Sequence, residues 1–499
     1  MAPSTNGIRK LGLYDLVEDV LILILVESDV PGVVALSKTS KFFHRIAFTT
    51  AVWYTLVARL VQRGFIDSRP DDGYFEKLST EQLIGLVKRM LHGPKAWTDT
   101  PPQSEHFAVP RGQTIVGRAV NKLRKFIRKP PLGGLSSALP VESRRIALHP
   151  EIDKDPDGSW MFNRPELLPG GKYALFLNSG CVECWSVFED RHIWTHAPSM
   201  DHTSVHDFEV DMMEDDIATI LTRQRTNLGQ HFVEITTLDL KTRISDTELV
   251  SRLPECRDGS AYVDCVVCGD AVAVHLRLDF QVVLINWRTS SRVVVSIPSM
   301  YDCQIALVPD HLLVLTRTET RGENRVALSP FALFECWEPN DSVEQPLTPV
   351  VPVADLPFLA DTLSLTCEPS HTWFRSIWVY ESPFERGRFT VWLHDLVNGE
   401  PAVLSFEFVK HATQVSWRFL SSTVMPAQIY PTTMSLSGHA LGRCRGYDKV
   451  GIFPPLSVAK DSAQRQIMDL GGSPFVHMSS FSGALTYSTK AELVILYYD

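Results

Sequence analysis

Long apolar runs are missing from this chain. Nothing in it approaches the roughly 18–20 consecutive apolar residues that cross a bilayer, so no membrane-spanning helix is expected. The polar N-terminus MAPSTNGIRK lacks the form of a secretory signal, and no cleavage site follows the first apolar run, Val20 to Val26. Cysteine is sparse: nine residues, an odd number spread from Cys181 to Cys444, suit reduced thiols better than a disulfide framework. A cytoplasmic or nuclear protein is expected.

An excess of basic charge is also absent. A net charge of −10 disfavours nucleic acid and membrane surfaces as partners, because both are anionic. The chain has no Gly-x-x-x-x-Gly-Lys-Ser/Thr phosphate loop, no Gly-x-Ser-x-Gly elbow and no His-Glu-x-x-His helix. No catalytic residue and no cofactor are therefore assigned. Two Cys-x-x-Cys pairs, Cys181/Cys184 and Cys265/Cys268, offer four thiols for zinc. Each pair lies in a predicted strand, where residues three apart face opposite sides, and the pairs fall in different repeats. They read as small buried hydrophobes, and no metal site is assigned.

What is present starts at the N-terminus. Residues 1–10 read as a disordered tail and 11–62 as a small helical module. Residues 16–26, LVEDVLILILV, hold nine apolar positions in eleven, with Glu18 and Asp19 placed to complement a helix dipole. A surface helix is apolar along one stripe, whereas this one is apolar nearly all round and needs cover on both sides. A turn at Pro31-Gly32 and a short apolar piece, Val33 to Leu36, come next. Phe42, Phe43, Ile46 and Ala47 then recur at helical spacing. After a Thr49-Thr50 cap, a further helix puts Val52, Trp53, Leu56, Val57 and Leu60 on one face. So few short helices cannot cover so much apolar surface alone.

Residues 63–107 read as a linker. Turn formers at 69–75 precede a capping box, Ser79 with Gln82, and an amphipathic helix carrying Leu83, Ile84, Leu86, Val87, Met90 and Leu91. His92-Gly93-Pro94 ends it.

From about residue 108 to 499 the apolar period changes from 3.6 to 2. Segments of one shape recur around Trp185, Asp239, Trp287, Trp337 and Asp395, at spacings of 54, 48, 50 and 58 residues. That period matches one four-stranded propeller blade with generous loops. Gly269-Asp270 is expected to turn a hairpin inside one repeat, and ELVILYYD reads as a final strand that closes the ring. The predicted fold is thus α+β and multidomain, with N-terminal helices followed by an all-β propeller of about seven blades. Tandem β-sandwiches are the alternative. No Gly-His…Trp-Asp repeat is present, and the 20–29-residue period of a leucine-rich solenoid is absent.

Charge is uneven. A basic stretch runs through Arg111, Arg118, Lys122, Arg124, Lys125, Arg128 and Lys129, and an acidic one through Asp207, Glu209, Asp211, Glu214, Asp215 and Asp216. Both read first as solvated segments.

The order of residues from Leu16 to Ala47, with a later Trp53, resembles the F-box family. That family opens with Leu-Pro, an acidic pair and Val-Leu-x-x-Ile-Leu. Here stand Leu16, Val17, Glu18, Asp19, Val20, Leu21, Ile24 and Leu25, followed by Asp29-Val30-Pro31, Leu36, Ser40-Lys41 and Trp53. Val17 replaces the usual proline and Ser28 the usual leucine. The resemblance covers about 45 residues, a tenth of the chain. It implies docking on the Skp-type adaptor of a cullin ubiquitin ligase, with the β domain holding a target protein and no catalysis by this chain. A scaffold acting outside a ligase and a propeller enzyme with a helical cap are the alternatives. The positions it implies for the adaptor, or for the core beneath it, are Leu16, Val17, Val20, Leu21, Ile24, Leu25, Val30, Pro31, Leu36 and Trp53. Leu21→Asp is expected to abolish docking with the β domain still folded.

Overall fold

The computed structural model describes residues 12–71, 73–97, 142–151, 163–200, 203–213, 216–253, 263–276, 281–296, 303–317, 323–331, 337–339, 350–352, 365–366, 376–397, 400–411, 414–425, 429–444, 450–453, 466–468, 476–489 and 492–498. The expected tail at 1–10 and the basic stretch from Arg111 to Lys129 lie outside these residues, as do Glu214 and Asp215.

Five α-helices come first: α1 (Glu18–Glu27), α2 (Val30–Ser37), α3 (Lys41–Ala47), α4 (Thr50–Gln62) and α5 (Thr80–His92). Local chemistry sets their ends. The Asp29 carboxylate accepts from Gly32 N at 2.7 Å and starts α2, with Pro31 in its first turn, where a missing N–H costs nothing. Ser40 caps α3 through Phe43 N. The capping box is present at α5, with Ser79 Oγ accepting from Gln82 N and Gln82 Oε1 accepting from Ser79 N. Gly93 then ends α5 at φ +76°, where a Cβ would collide with the His439 ring. The helices share one apolar core built on Leu21, Leu25, Val33, Phe43, Ile46, Val52, Trp53, Leu56, Leu83 and Val87.

The rest of the described chain is a seven-bladed β-propeller. Blade 1 spans 163–196, blade 2 203–252, blade 3 263–296, blade 4 304–366, blade 5 376–424 and blade 6 429–468. Blade 7 takes three strands from 476–498 and its outermost strand, Glu142–Leu148, from the other end of the domain. That antiparallel pairing, from Glu142↔Tyr498 to Leu148↔Leu493, closes the ring, so the last strand does the work expected of ELVILYYD with a strand from upstream as its partner. The seven sheets rule out tandem sandwiches.

Seven apolar clusters fill the seven interfaces between blades. The seam between blades 7 and 1, for example, packs Leu148, Leu493 and Ile495 against Leu167, Phe176 and Trp185. Because each blade is covered on both faces, its inner strands read as continuous apolar runs, as in AVAVHL of blade 3, buried at all six positions. Gly269 and Asp270 turn that blade's first hairpin, Gly269 at φ +55° and Cys268 paired with Ala271.

Three of the five repeat anchors, Trp185, Asp239 and Trp287, sit at or just past the end of a blade's third strand. Trp287 Nε1 donates to Gly269 O at 3.0 Å, tying two turns together, and the Asp239 carboxylate accepts from Lys241 N and Thr242 N. Trp337 follows the third strand of blade 4. Asp395 differs: it lies in the second strand of blade 5, Arg388–Val397. The chain between the third and fourth strands of blade 4 adds Glu338–Pro339 and Val350–Pro352 to the outer edge of blade 3. Those extra residues displace the register of the repeat, and they cover an edge that would otherwise offer unpaired backbone.

Candidate protein-docking surface on the helical module

The ten residues singled out from the sequence separate into two sets. Leu21 and Leu25 of α1 are 1% exposed and Trp53 of α4 is 2% exposed, so these three are core. Leu16, Val30 and Leu36 are half-buried against the same core. Val17, Val20, Ile24 and Pro31 are exposed, Val17 at 67%. Leu21→Asp would therefore place a charge in the helical core and unfold the module, so it cannot serve as a surface probe.

Val17, Val20 and Ile24 follow the i, i+3, i+7 spacing of one helical face. The reading of single positions missed three neighbours, Leu23 (63% exposed), Leu13 and Tyr14. The signal for Leu23 was present, since an all-round apolar helix with one covered face must expose the other. Leu13 and Tyr14 lie in a single 3-10 turn, Leu13–Asp15, ahead of α1. Tyr14 packs its ring 4.8 Å from Phe43 and 5.9 Å from Phe42, which joins this turn to α3.

Polar contacts hold the exposed face in place from behind. Arg45 of α3 pairs with Glu18 at 2.9 Å. Arg59 of α4 reaches the Val26 carbonyl and the Glu27 carboxylate, satisfying an acceptor at the C-terminal end of α1. Ser28, the departure from the family pattern, has a local role, its hydroxyl donating to Ile24 O at 2.8 Å. Val17 is the N-cap of α1 and supplies no side-chain acceptor.

The module is seated on the propeller by its opposite side. Gly170 N donates to Gly64 O at 2.9 Å, and Ser68 N to Gly170 O at 2.7 Å. Arg63 donates to Pro383 O at 2.9 Å, and Phe65 meets Phe481 edge-on at 4.7 Å. Trp97 packs 4.9 Å from His439 and 5.8 Å from Tyr498. All these partners lie in or beside the first hairpin turns of blades 1, 5, 6 and 7, or at the blade 7 terminus, so one end of the propeller carries the helices. Asp67 is half-buried in this joint beside Ser482 and Tyr497, with its Oδ2 shielded from solvent. Desolvation pushes its carboxyl up to about 6 against the pull of Ser482, Arg69 and Arg144. A cavity of about 580 Å³ remains between the ends of α1 and α4 and blades 1, 2 and 5. Its charges are matched internally, Arg59 with Glu27 and Lys172 with Asp216.

The other sequence candidates have structural roles. Cys184 and Cys265 are buried, and Cys265 and Cys268 pack into different inter-blade cores. Burial pushes the Cys184 thiol up to about 12, far from the thiolate a metal requires. No cluster of three metal-ligating side chains occurs among the described residues. The acidic stretch is tied down, with Asp207 and Glu209 on Arg164, Asp211 accepting from Gly269 N, and Asp216 near Lys172 and Lys241. Among the described residues no helix is long and apolar enough to cross a membrane.

Comparison with known proteins finds low similarity only. No family model matches the chain, and no curated protein matches it. Among solved structures it is similar to the β-propeller domain of Cps50 (Swd1) from Myceliophteria thermophila, at 9% identity over 68% of this chain and 97% of that one, TM-score 0.44. The WD40 domain of SCAP from fission yeast shares 12% identity over 68% and 84%, TM-score 0.39. Streptogramin B lyase shares 10% over 71% and 98%, TM-score 0.37. The class the fold defines is a seven-bladed β-propeller carrying a helical module on one end.

Proposed function

We propose that this chain is the target-receptor subunit of a Skp–cullin–F-box type ubiquitin ligase. The helical module docks on the Skp-type adaptor and the propeller holds a target protein. One observation carries the reading: the outer face of α1, with Leu13 and Tyr14, leaves six large apolar side chains exposed side by side in sequence and helical spacing. Isolated exposed hydrophobes need no explanation, but a clustered set on a rigid helix marks a contact. The F-box order of residues names the partner.

The chain itself performs no chemistry in this reading. It raises the effective concentration of target lysines near a charged conjugating enzyme bound elsewhere in the assembly. The packed joint between module and propeller suits that task, because a fixed geometry wastes less of the proximity. The test is co-purification of full-length protein with adaptor and cullin from cells, followed by deletion of residues 12–62. Loss of both partners together with a rise in the abundance of propeller-bound proteins is expected. Binding without any rise would indicate a scaffold, and absence of the adaptor from the wild-type purification would overturn the proposal.

A further inference from the structure

The end of the propeller opposite the helices holds two arginines and two histidines with no acidic partner among the described residues. In blade 2 the pairing of Thr203–Met212 with Ile217–Thr226 breaks register between Val205 and Asp207, and the inserted residue, His206, is exposed. Bulges of this kind re-aim a side chain. Its Nε2 lies 3.1 Å from Ser204 Oγ. On the next strand Arg225 stands opposite Ser204 and His231, and Arg223 opposite Asp207. Two residues apart on a strand, the arginines point to one side.

Among the described residues neither arginine forms an ion pair, and Arg223 Nε is buried without an acceptor. The nearest carboxylate by register, Asp207, is taken by Arg164 at 3.1 Å. His231 is only 6% exposed, and both its ring nitrogens are buried and unbonded. Burial and then Arg225, Arg223 and His206 hold its proton affinity below the usual histidine range, so the four groups feel one another. A core histidine with neither nitrogen satisfied is destabilising, and the two neighbouring guanidiniums lack a counter-charge among the described residues. A bound anion supplies the missing counter-charge and an acceptor for N–H groups of this cluster.

We propose that His206, Arg223, Arg225 and His231 form a binding site for an anionic side chain of a peptide, a phosphoester or a carboxylate. Arginine forks suit either group. A peptide is favoured over a free anion because exposed apolar side chains stand at the same end of the blade. Leu228 is 89% exposed in the turn between Ile217–Thr226 and His231–Asp239, and Met200 lies just ahead of Thr203–Met212. The net charge of −10 disfavours an extended polyanion. The site lies away from the helical module, so a peptide held here leaves the outer face of α1 free. It goes beyond the adaptor reading and does not rest on it.

The test uses full-length protein at low ionic strength and three fluorescent peptides of one Gly/Ser/Leu sequence. One carries a phosphoserine, one a glutamate pair, and one neither. Either anionic peptide should bind at least about tenfold more tightly than the neutral one, and which one binds identifies the group. Arg223→Gln/Arg225→Gln should remove that preference, whereas Arg418→Gln on blade 5 should leave it intact. His206→Gln, on an exposed position outside the core, should weaken it and serves if the double variant unfolds. Equal binding of all three peptides, or an unchanged preference in the folded variants, overturns the site. Adaptor binding by the same variants should stay at the wild-type level, which separates failure here from failure of the ligase reading.

Discussion

Helices α1 and α5 belong to one module and contribute to one core, yet they treat their apolar residues differently. In α5 the apolar positions form a stripe, and Leu83, Val87 and Met90 are buried while Glu81 and Lys88 stay outside. In α1 the apolar residues continue round the helix. Leu21 and Leu25 are buried in the shared core, and Val20, Leu23 and Ile24 face outward with Val17 just ahead of them. A helix whose apolar residues match its covered face has finished its folding within the chain. A helix whose apolar residues continue past its covered face carries the rest for something else.

The comparison can be broken most directly in the core. Leu25→Ala and Leu83→Ala should each destabilise the module by about 2–5 kcal/mol, because each removes fully buried methyl groups and leaves a cavity. Leu23→Ala, two residues from Leu25 on the same helix but 63% exposed, should shift stability by less than about 0.5 kcal/mol. Chemical denaturation followed by helical circular dichroism measures all three. Equal losses at Leu23 and Leu25 would erase the distinction between the two faces of α1.

A pH series sharpens the account of the joint beneath the module. Asp67 has its folded-state pKa raised by burial to about 6, from an ordinary value near 3.8. The folded protein therefore holds a proton that the unfolded chain has released. The associated stability is fully present below about pH 4, declines as pH rises through 6, and is level above that. Asp67→Asn should remove this slope, so wild type and variant converge at low pH and diverge toward neutrality, with the variant more stable. Thermal midpoints from pH 4 to 7 report it, and parallel curves would place Asp67 in contact with water.

Smaller effects mark the helix ends. Ser79→Ala removes the acceptor for Gln82 N and should cost α5 about 1 kcal/mol. Glu18→Gln removes an exposed pair with Arg45 and should cost under about 1 kcal/mol, less in high salt. If the two losses rank in reverse order, α1 depends on α3 more than its apolar contacts suggest.

Much of the fold was legible because its signals are local. The capping box at Ser79 and Gln82, the Gly269-Asp270 turn and the roughly 50-residue repeat each rest on nearby residues, and each is present. The partner of the closing strand was not legible, since Glu142–Leu148 pairs across more than 300 residues and nothing in its own pattern names that partner. Asp395 was misplaced for a related reason: the strands inserted after Trp337 serve blade 3, and an inserted segment shifts a repeat without changing its appearance. At the docking surface, the apolar excess of α1 was readable but the division between faces was not. Leu21 and Leu23 are the same residue type two positions apart, and only packing decides which is core. The cationic group on blade 2 left no sequence signal, because a bulge and cross-strand register bring its members together.

The most direct measurement is a binding titration of purified Skp-type adaptor against full-length wild type, Leu23→Asp and Ile24→Asp, with helical content checked for each. The account predicts a stable complex with wild type and a loss of affinity of at least about tenfold in both variants, with folding unchanged. A wild-type protein that ignores the adaptor, or folded variants that bind it as tightly as wild type, would contradict it.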